Sequence, residues 1–331
     1  PPAPERPNWE LWDPTFLEGV LVDGGVELRG PRPGKVLAMG LDSVFRRWEG
    51  DMSSFVAFLE REEATSMIVH GRGPRGSERW EHDRIRGFDG WEILDVSESA
   101  RARLGSVWGP YHLLTFLVGL PLGFGDEALL HLMREGFDTP AVAAYDSLRI
   151  RTPLTATAGL NVHPKLALGP ILVPSYGPFV RTLISHVVVD RPLPTDAEEA
   201  RGLVTDGIRS GNLFISLGNH PALEEFWSGV LLPSRHATPM GGQLFVADAG
   251  FLRAGFRGTG LEHTVYRVMR DGREVAWVLG PELEWPIQGP GHYRVEVYRY
   301  GARAGDVFFR LKPWIFANPV VVLMGEETEG A

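Results

Sequence analysis

The stretch Leu154-Thr-Ala-Thr-Ala-Gly-Leu-Asn-Val-His163 decides the fold that we predict for this chain. Its small and apolar residues indicate a strand, which ends in the polar residues Asn161 and His163. Because side chains alternate along a strand, these two side chains would point to the same side, as two ligands of one ion must. Such a pair at the carboxyl end of a strand is typical of the rim of an α/β barrel, where chemistry is expected.

Two segments upstream predict a neighbouring step of the same architecture. Apolar residues at helical spacing predict a helix over Met52–Glu63, with Asp51 or Ser53 as its N-cap. A strand over Thr65–His70 follows it. A helix that leads into a strand ending in histidine is a step of a βα barrel, so His70 is a candidate ligand at the rim.

The chain changes character after about Asn219. Short alternating strands such as Thr264–Arg270 and Glu274–Leu279 are separated by turn residues, and Asp271-Gly272 predicts a hairpin turn between these two. This spacing predicts an antiparallel sandwich. We therefore expect an α/β barrel over residues 1–218 and an immunoglobulin-like β-sandwich over residues 219–331.

Several segments resemble the polymerase-and-histidinol-phosphatase (PHP) family of metal-dependent phosphoesterases. In the barrel part they are Gly25-Val-Glu27, Ala144-Tyr-Asp-Ser-Leu148, Gly159-Leu-Asn-Val-His163, Pro174-Ser-Tyr followed by Phe179-Val-Arg-Thr182, and Ile208-Arg-Ser-Gly-Asn-Leu-Phe214. In the C-terminal part they are Gly291-His-Tyr-Arg-Val-Glu296 and the tail that begins Lys312-Pro-Trp-Ile. The resemblance extends from Val20 to Leu323.

The resemblance implies a distorted (β/α)7 barrel that is incomplete at its N-terminus, followed by a small antiparallel β-sandwich. It also implies a metal site, and the positions that match the family's ligands are Glu27, His70, Asn161 and His163. The His-x-His motif of the family is missing from the chain, and Asn161 stands where the family has Asp. A neutral oxygen attracts a dication less than a carboxylate does, so we expect one zinc or manganese ion at most, or none.

Three functions follow from this pattern. The favoured one is a degenerate, non-catalytic PHP-fold protein that acts as a scaffold or as a subunit of a larger assembly. The alternative is a metal-dependent phosphoesterase whose N-terminal metal-binding strands are missing from this chain. A third is a binding module in which the C-terminal sandwich does the work. A serine hydrolase is disfavoured because no Gly-x-Ser-x-Gly elbow occurs, although His186 lies on a strand beside the predicted site.

Composition restricts partners and location. The formal net charge of −9 and a pI near 5.6 argue against binding to nucleic acid, and the absence of cysteine excludes disulfides and thiolate metal sites. The apolar run Tyr111–Phe124 is interrupted by Gly119 and Pro121, so we expect a buried helix rather than a transmembrane segment. Because the chain begins with Pro1-Pro2, we expect a processed product, exported or in the cell envelope rather than cytoplasmic. Other protein subunits are the expected partners.

Overall fold

The structure is a computed structural model that describes residues 14–29, 34–41, 48–69, 80, 86–95, 105–119, 137–160, 166–168, 171–173, 180–246, 250–257, 261–305 and 307–324. The N-terminal part begins with a hairpin of β1 (Thr15–Leu17) and β2 (Val20–Val22). A five-stranded sheet follows, made of β3 (Gly25–Arg29), β4 (Lys35–Met39), β5 (Thr65–Val69), β6 (Gly90–Asp95) and β7 (Thr155–Gly159), in that spatial order. Its helices are α1 (Met52–Arg61), α2 (Gly109–Gly119) and α3 (Pro140–Arg149).

The second part is built almost entirely of strands. It comprises β8 (Leu166–Leu168), β9 (Ile171–Val173), β10 (Leu183–Val187), α4 (Ala197–Ser210), β11 (Leu213–Leu217), a 3₁₀ helix (Pro221–Glu225), β12 (Phe226–Leu231), β13 (Ala237–Pro239), β14 (Gln243–Val246), β15 (Phe251–Phe256), β16 (Thr264–Arg270), β17 (Arg273–Leu279), β18 (Leu283–Pro286), β19 (Gly291–Arg299), β20 (Ala302–Ala304), β21 (Val307–Phe309), β22 (Lys312–Ala317) and β23 (Val320–Met324). Six strands of an eight-stranded sheet follow the order β10-β11-β22-β19-β16-β17. The other two are β23, which pairs with β19, and β14, which pairs with β23.

The eight-stranded sheet lies between two hydrophobic cores because successive side chains along its strands point to opposite faces. On β22, Ile315 and Ala317 pack into a core shared with the four-stranded sheet β13-β12-β15-β18. Phe316 faces the other way, where its ring lies 5.4 Å from Phe137 and 6.3 Å from Tyr145 of α3. Strands from both sides of residue 218 form this sheet, since β11 pairs with β22. The sheet therefore physically joins the two halves of the chain.

The predicted distorted (β/α)7 barrel is wrong. The part of the chain that the structure describes contains 23 strands and only four α-helices, whereas such a barrel needs a helix after almost every strand. Within the five-stranded sheet, β3, β4 and β5 are antiparallel neighbours, and only β5, β6 and β7 run parallel. The short link between β3 and β4 explains the difference, because a parallel crossover needs a dozen or more residues. A hairpin is the connection that this length allows.

The local signals of the sequence are mostly confirmed. The side chain of Asp51 caps α1 by accepting a hydrogen bond from the backbone N–H of Ser54 at 2.7 Å. The turn between β16 and β17 is Asp271-Gly272, whose φ values of 50° and 75° are those of a hairpin turn with both central residues left-handed. α4 ends at Gly211 in the left-handed conformation. For α4 the sequence predicts a capping box at Thr195-x-x-Glu198 and a helix stop at Ser210-Gly211; the observed cap is Asp196, one residue after Thr195.

The apolar run from Tyr111 begins a helix, and several of its described side chains are exposed. α2 exposes Tyr111, Leu114 and Val118, which recur at helical spacing along one face and are each about half accessible to solvent. No helix among the described residues is both long and apolar enough to cross a membrane.

Candidate functional site

The carboxyl edge of the three parallel strands is where the sequence predicts a site. β5 ends at Val69, directly before His70, and β7 ends at Gly159, two residues before Asn161. Between them β6 ends at Asp95, which pairs with Gly159 and is 5% exposed. Parallel strands bring their carboxyl ends to one edge of a sheet, so this edge carries a buried carboxylate beside the predicted ligand segments.

Glu92 is a second carboxylate at this edge, and sequence reasoning missed it. Its Oε2 atom lies only 1.7 Å from the position that a Cβ atom would take on Gly159. Any side chain at residue 159 would therefore collide with this carboxylate. A single carboxylate within the apolar run Trp91-Glu-Ile-Leu94 was the signal that could have singled it out. The β-bulge between Glu92 and Leu94 shifts the register with β7 just beyond it.

Glu27 lies far from that edge. The pairing register places it in one row with Leu37 on β4, Met67 on β5, Gly90 on β6 and Thr155 on β7. Gly90 and Thr155 are the first residues of β6 and β7. Glu27 is therefore level with the amino ends of these strands and not with their carboxyl ends. Strands are spaced by about 4.8 Å, which puts β3 about 19 Å from β7. Ligands of one ion sit about 2 Å from it, so Glu27 and a site on β7 cannot share an ion.

The side chain of Glu27 has a partner of its own. It lies on the solvent face of β3, between the buried residues Val26 and Leu28. Its Oε1 atom is 2.7 Å from Nζ of Lys35 on β4. A lysine ammonium therefore neutralises this carboxylate, as a cation bound there would.

The other three predicted ligands, His70, Asn161 and His163, lie outside the described residues. Within the residues that are described, no three or more histidine and acidic side chains come together in a way that could hold a metal ion. Asp95 and Glu92 are the carboxylates next to the predicted segments. Their chemistry fits a divalent cation, because carboxylate oxygens suit such ions together with histidine nitrogen.

His186 and Ser216 form a pair that resembles part of a hydrolase site. Nε2 of His186 lies 2.8 Å from Oγ of Ser216, and the imidazole stacks on Phe214 with ring centres 4.4 Å apart. Burial lowers the pKa of His186 to about 4, so the ring is neutral at physiological pH. Ser216 has no exposed surface and donates a hydrogen bond to the carbonyl of Gly218. A hydroxyl shielded from solvent cannot reach a substrate, so the pair supports the packing of β10 on β11.

A buried ion network joins α3 to the eight-stranded sheet. Glu296, which is fully buried, accepts hydrogen bonds from Arg294 at 2.8 and 3.1 Å and from Arg267 at 3.3 Å. Arg294 also binds Asp146 of α3, and Arg267 binds Asp138 just before α3 at 2.7 Å. These paired carboxylates hold the pKa of Arg294 above its ordinary value despite burial of the guanidinium. The network therefore consists of ions that balance one another inside the protein.

Asn318 connects the two large sheets directly. Its Oδ1 atom accepts a hydrogen bond from the N–H of Ala156 at 2.7 Å, and its Nδ2 donates to the carbonyls of Ala156 at 3.0 Å and Leu213 at 2.8 Å. Tyr145 of α3 donates to the same Oδ1 at 3.1 Å. The side-chain amide thus bonds to β7 as a neighbouring strand would, and holds β7 next to β11. We name Asp146, Arg294, Glu296, Tyr145 and Asn318 the joint.

Comparisons with protein-family models, with curated proteins and with solved structures find no match to this chain. The chemistry of the site therefore has to be argued from its own residues.

Proposed function

We propose that this chain is a non-catalytic scaffold or a subunit of a larger assembly. One observation carries the proposal: the polar residues of the PHP-like segments that form the joint bind to one another within the chain. Glu27, which matches a family ligand, is likewise engaged with Lys35. Side chains that are paired with one another in the interior are less available to a substrate or an ion. In this proposal, the relation to the PHP family is one of sequence motifs that serve packing.

The exposed face of α2 supports a subunit role. Tyr111 and Leu114 on α2 are exposed by 56% and 62% of their surface, and Trp108, directly before the helix, by 68%. Apolar residues that recur along one exposed helix face are more typical of a contact surface than of a solvated helix. Other protein subunits are the partners that this surface favours.

The test is a metal and activity measurement on the longest gene product that contains this chain. We expect no metal above background by elemental analysis, and no hydrolysis of a generic phosphodiester with added manganese. A His163→Ala variant should behave identically to the wild type. Two or more bound metal equivalents, with turnover abolished by His163→Ala, would contradict the proposal.

The second candidate function is a metal-dependent phosphoesterase, and Glu92 is the observation that favours it. Its carboxylate touches Gly159, at the start of the segment that holds Asn161 and His163. A divalent ion at this edge would supply Lewis-acid polarisation of a phosphoryl oxygen. Glu92→Gln would then reduce both bound metal and turnover, whereas Glu284→Gln, on an exposed ion pair, would change neither.

A further inference from the structure

A cleft of about 460 Å³ opens where three strands of the eight-stranded sheet end. Residues 217–220 after β11 form one wall, and residues 299–301 at the end of β19 form another. The third wall consists of residues 310–314, which lead into β22. The three segments are brought together by pairing of β22 with both β11 and β19. A volume of this size suits a small molecule.

The cleft is strongly cationic in an acidic protein. Arg299, Arg310 and Lys312 line it, and no acidic side chain is present among its described lining residues. The chain as a whole carries a formal net charge of −9. A concave surface with charges of one sign concentrates the electrostatic potential and attracts counter-ions. The cleft therefore attracts anions although the whole protein repels them.

Arg299 is held in place by aromatic rings. Its guanidinium lies 5.2 Å from the ring of Trp314, which in turn stacks on Phe256 with centres 5.1 Å apart and an angle of 17°. Cation–π contact orients an arginine without consuming its hydrogen-bond donors. In the part of the chain that the structure describes, no carboxylate pairs with Arg299. Its donors are therefore positioned and available.

Arg310 enters the cleft from the β20–β21 hairpin. Its backbone φ is 56°, a left-handed value that few residues other than glycine adopt. The stem of its side chain lies against Gly301, where an added Cβ atom would come within 3.2 Å of Cδ. Among the described acidic residues, none forms an ion pair with Arg310. A strained backbone that delivers a cation without a partner is a feature typical of binding sites.

His220 completes the wall as a hydrogen-bond donor. Its Nδ1 accepts the N–H of Ala222 at 3.2 Å, which leaves the proton of the neutral ring on Nε2. Burial and the nearby charge of Arg299 lower the pKa of His220. The ring is therefore neutral at physiological pH, and its Nε2–H can donate to an anion bound in the cleft.

We propose that this cleft binds a small multivalent oxyanion, a molecule that carries two or more phosphate or carboxylate groups. The planar guanidinium of arginine can form two parallel hydrogen bonds with either a phosphate or a carboxylate group. A lysine ammonium adds a point charge. The site requires no catalysis and is independent of the scaffold role.

Isothermal titration of the 331-residue chain with inorganic pyrophosphate and, separately, with citrate tests the proposal. We expect saturable binding of at least one of the two. Arg310→Gln should weaken it about tenfold or more, since a hydrogen bond to a charged group is lost. Arg303→Gln is the matched control, because this exposed arginine belongs to the same hairpin but not to the cleft, and it should leave affinity within about twofold. Circular dichroism verifies that both variants are folded.

The affinities for the two ligands show which anionic group the cleft prefers. Tighter binding of pyrophosphate identifies a phosphorylated ligand, and tighter binding of citrate identifies a polycarboxylate. Absence of binding to both anions would overturn the proposal, as would an equal loss in Arg303→Gln and Arg310→Gln.

Discussion

The joint and the carboxyl edge of the five-stranded sheet use polar residues in opposite ways. In the joint, Arg294, Glu296 and Asn318 are all buried, and the carboxylate and amide groups are paired with groups from distant parts of the chain. At the edge, Glu92 and Asp95 stand beside a segment that begins at Gly159. Both regions carry sequences that resemble the PHP family, but only in the joint do the side chains of such segments bind one another across the chain.

The comparison shows that a segment with a family-like pattern can contribute to packing alone. A polar residue in a family-like pattern suggests a ligand. A buried ion or amide, however, also needs hydrogen-bond partners inside the protein. The joint satisfies its groups internally and so contributes to uniting the two sheets. Four predictions test this contrast, from the largest effect to the smallest.

Removing the charge of Glu296 should destabilise the protein most. Glu296→Gln leaves two buried guanidinium groups short of a counter-charge, which costs about 3 to 5 kcal/mol. The matched control is Glu284→Gln on the exposed pair with Arg253, where about 0 to 1 kcal/mol is expected. Urea unfolding of both variants measures this. Equal losses in the two variants would mean that the joint is no stronger than a surface pair.

Truncation of Asn318 should have the next largest effect. Asn318→Ala leaves the N–H and carbonyl of Ala156 unpaired, and each buried group left unsatisfied costs about 1 to 3 kcal/mol. Hydrogen exchange at the Ala156 amide should accelerate more than exchange elsewhere in the five-stranded sheet. Asn212→Ala, which removes one exposed bond to Val188, serves as control and should leave that amide protected.

His186 should make stability depend on pH. Its pKa is lowered from 6.5 to about 4 by burial, so the folded protein resists a proton that the unfolded chain accepts. The stabilisation is complete above pH 6.5 and is lost as pH falls towards 4. It is on the order of 2 kcal/mol after allowance for the partly exposed ring. Relative to His186→Gln, the wild type should lose this amount between pH 7.5 and 4.5, whereas exposed His236→Gln should follow the wild type.

The ion pair of Glu27 and Lys35 should contribute least. Lys35→Gln removes a partner of a half-exposed carboxylate, so we expect a loss of about 0 to 1 kcal/mol in the free energy of unfolding. Manganese binding should be unchanged, because Glu27 is remote from the carboxyl edge. A gain of manganese affinity at Glu27 in this variant would indicate that the carboxylate is a ligand after all.

Local features of the fold could be predicted from the sequence because they depend on neighbouring residues. The cap at Asp51, the turn at Asp271-Gly272 and the left-handed end of α4 at Gly211 each follow from a few side chains. The strands β5 and β16 follow in the same way from short runs rich in apolar and β-branched residues. The N-cap of α4 shifted by one residue because Thr195 and Asp196 are both good caps.

Strand direction and pairing could not be predicted, since they depend on contacts between distant residues. Asn318 bonds to Ala156 across 162 positions, and Arg294 bonds to Asp146 across 148. The cationic cleft was missed for the same reason: its arginines and His220 come from three separated segments. Among the candidate ligands, Glu27 could be located only after the register of four strand pairs was known.

A double-mutant cycle on Asp146 and Arg294 tests the central claim most directly. Asp146→Asn, Arg294→Gln and the double variant are compared with the wild type by urea unfolding. If these residues hold α3 to the eight-stranded sheet, the two substitutions will be coupled by about 1 kcal/mol or more. Additive losses with no coupling, in variants that remain folded, would contradict the assignment of the motif residues to the joint.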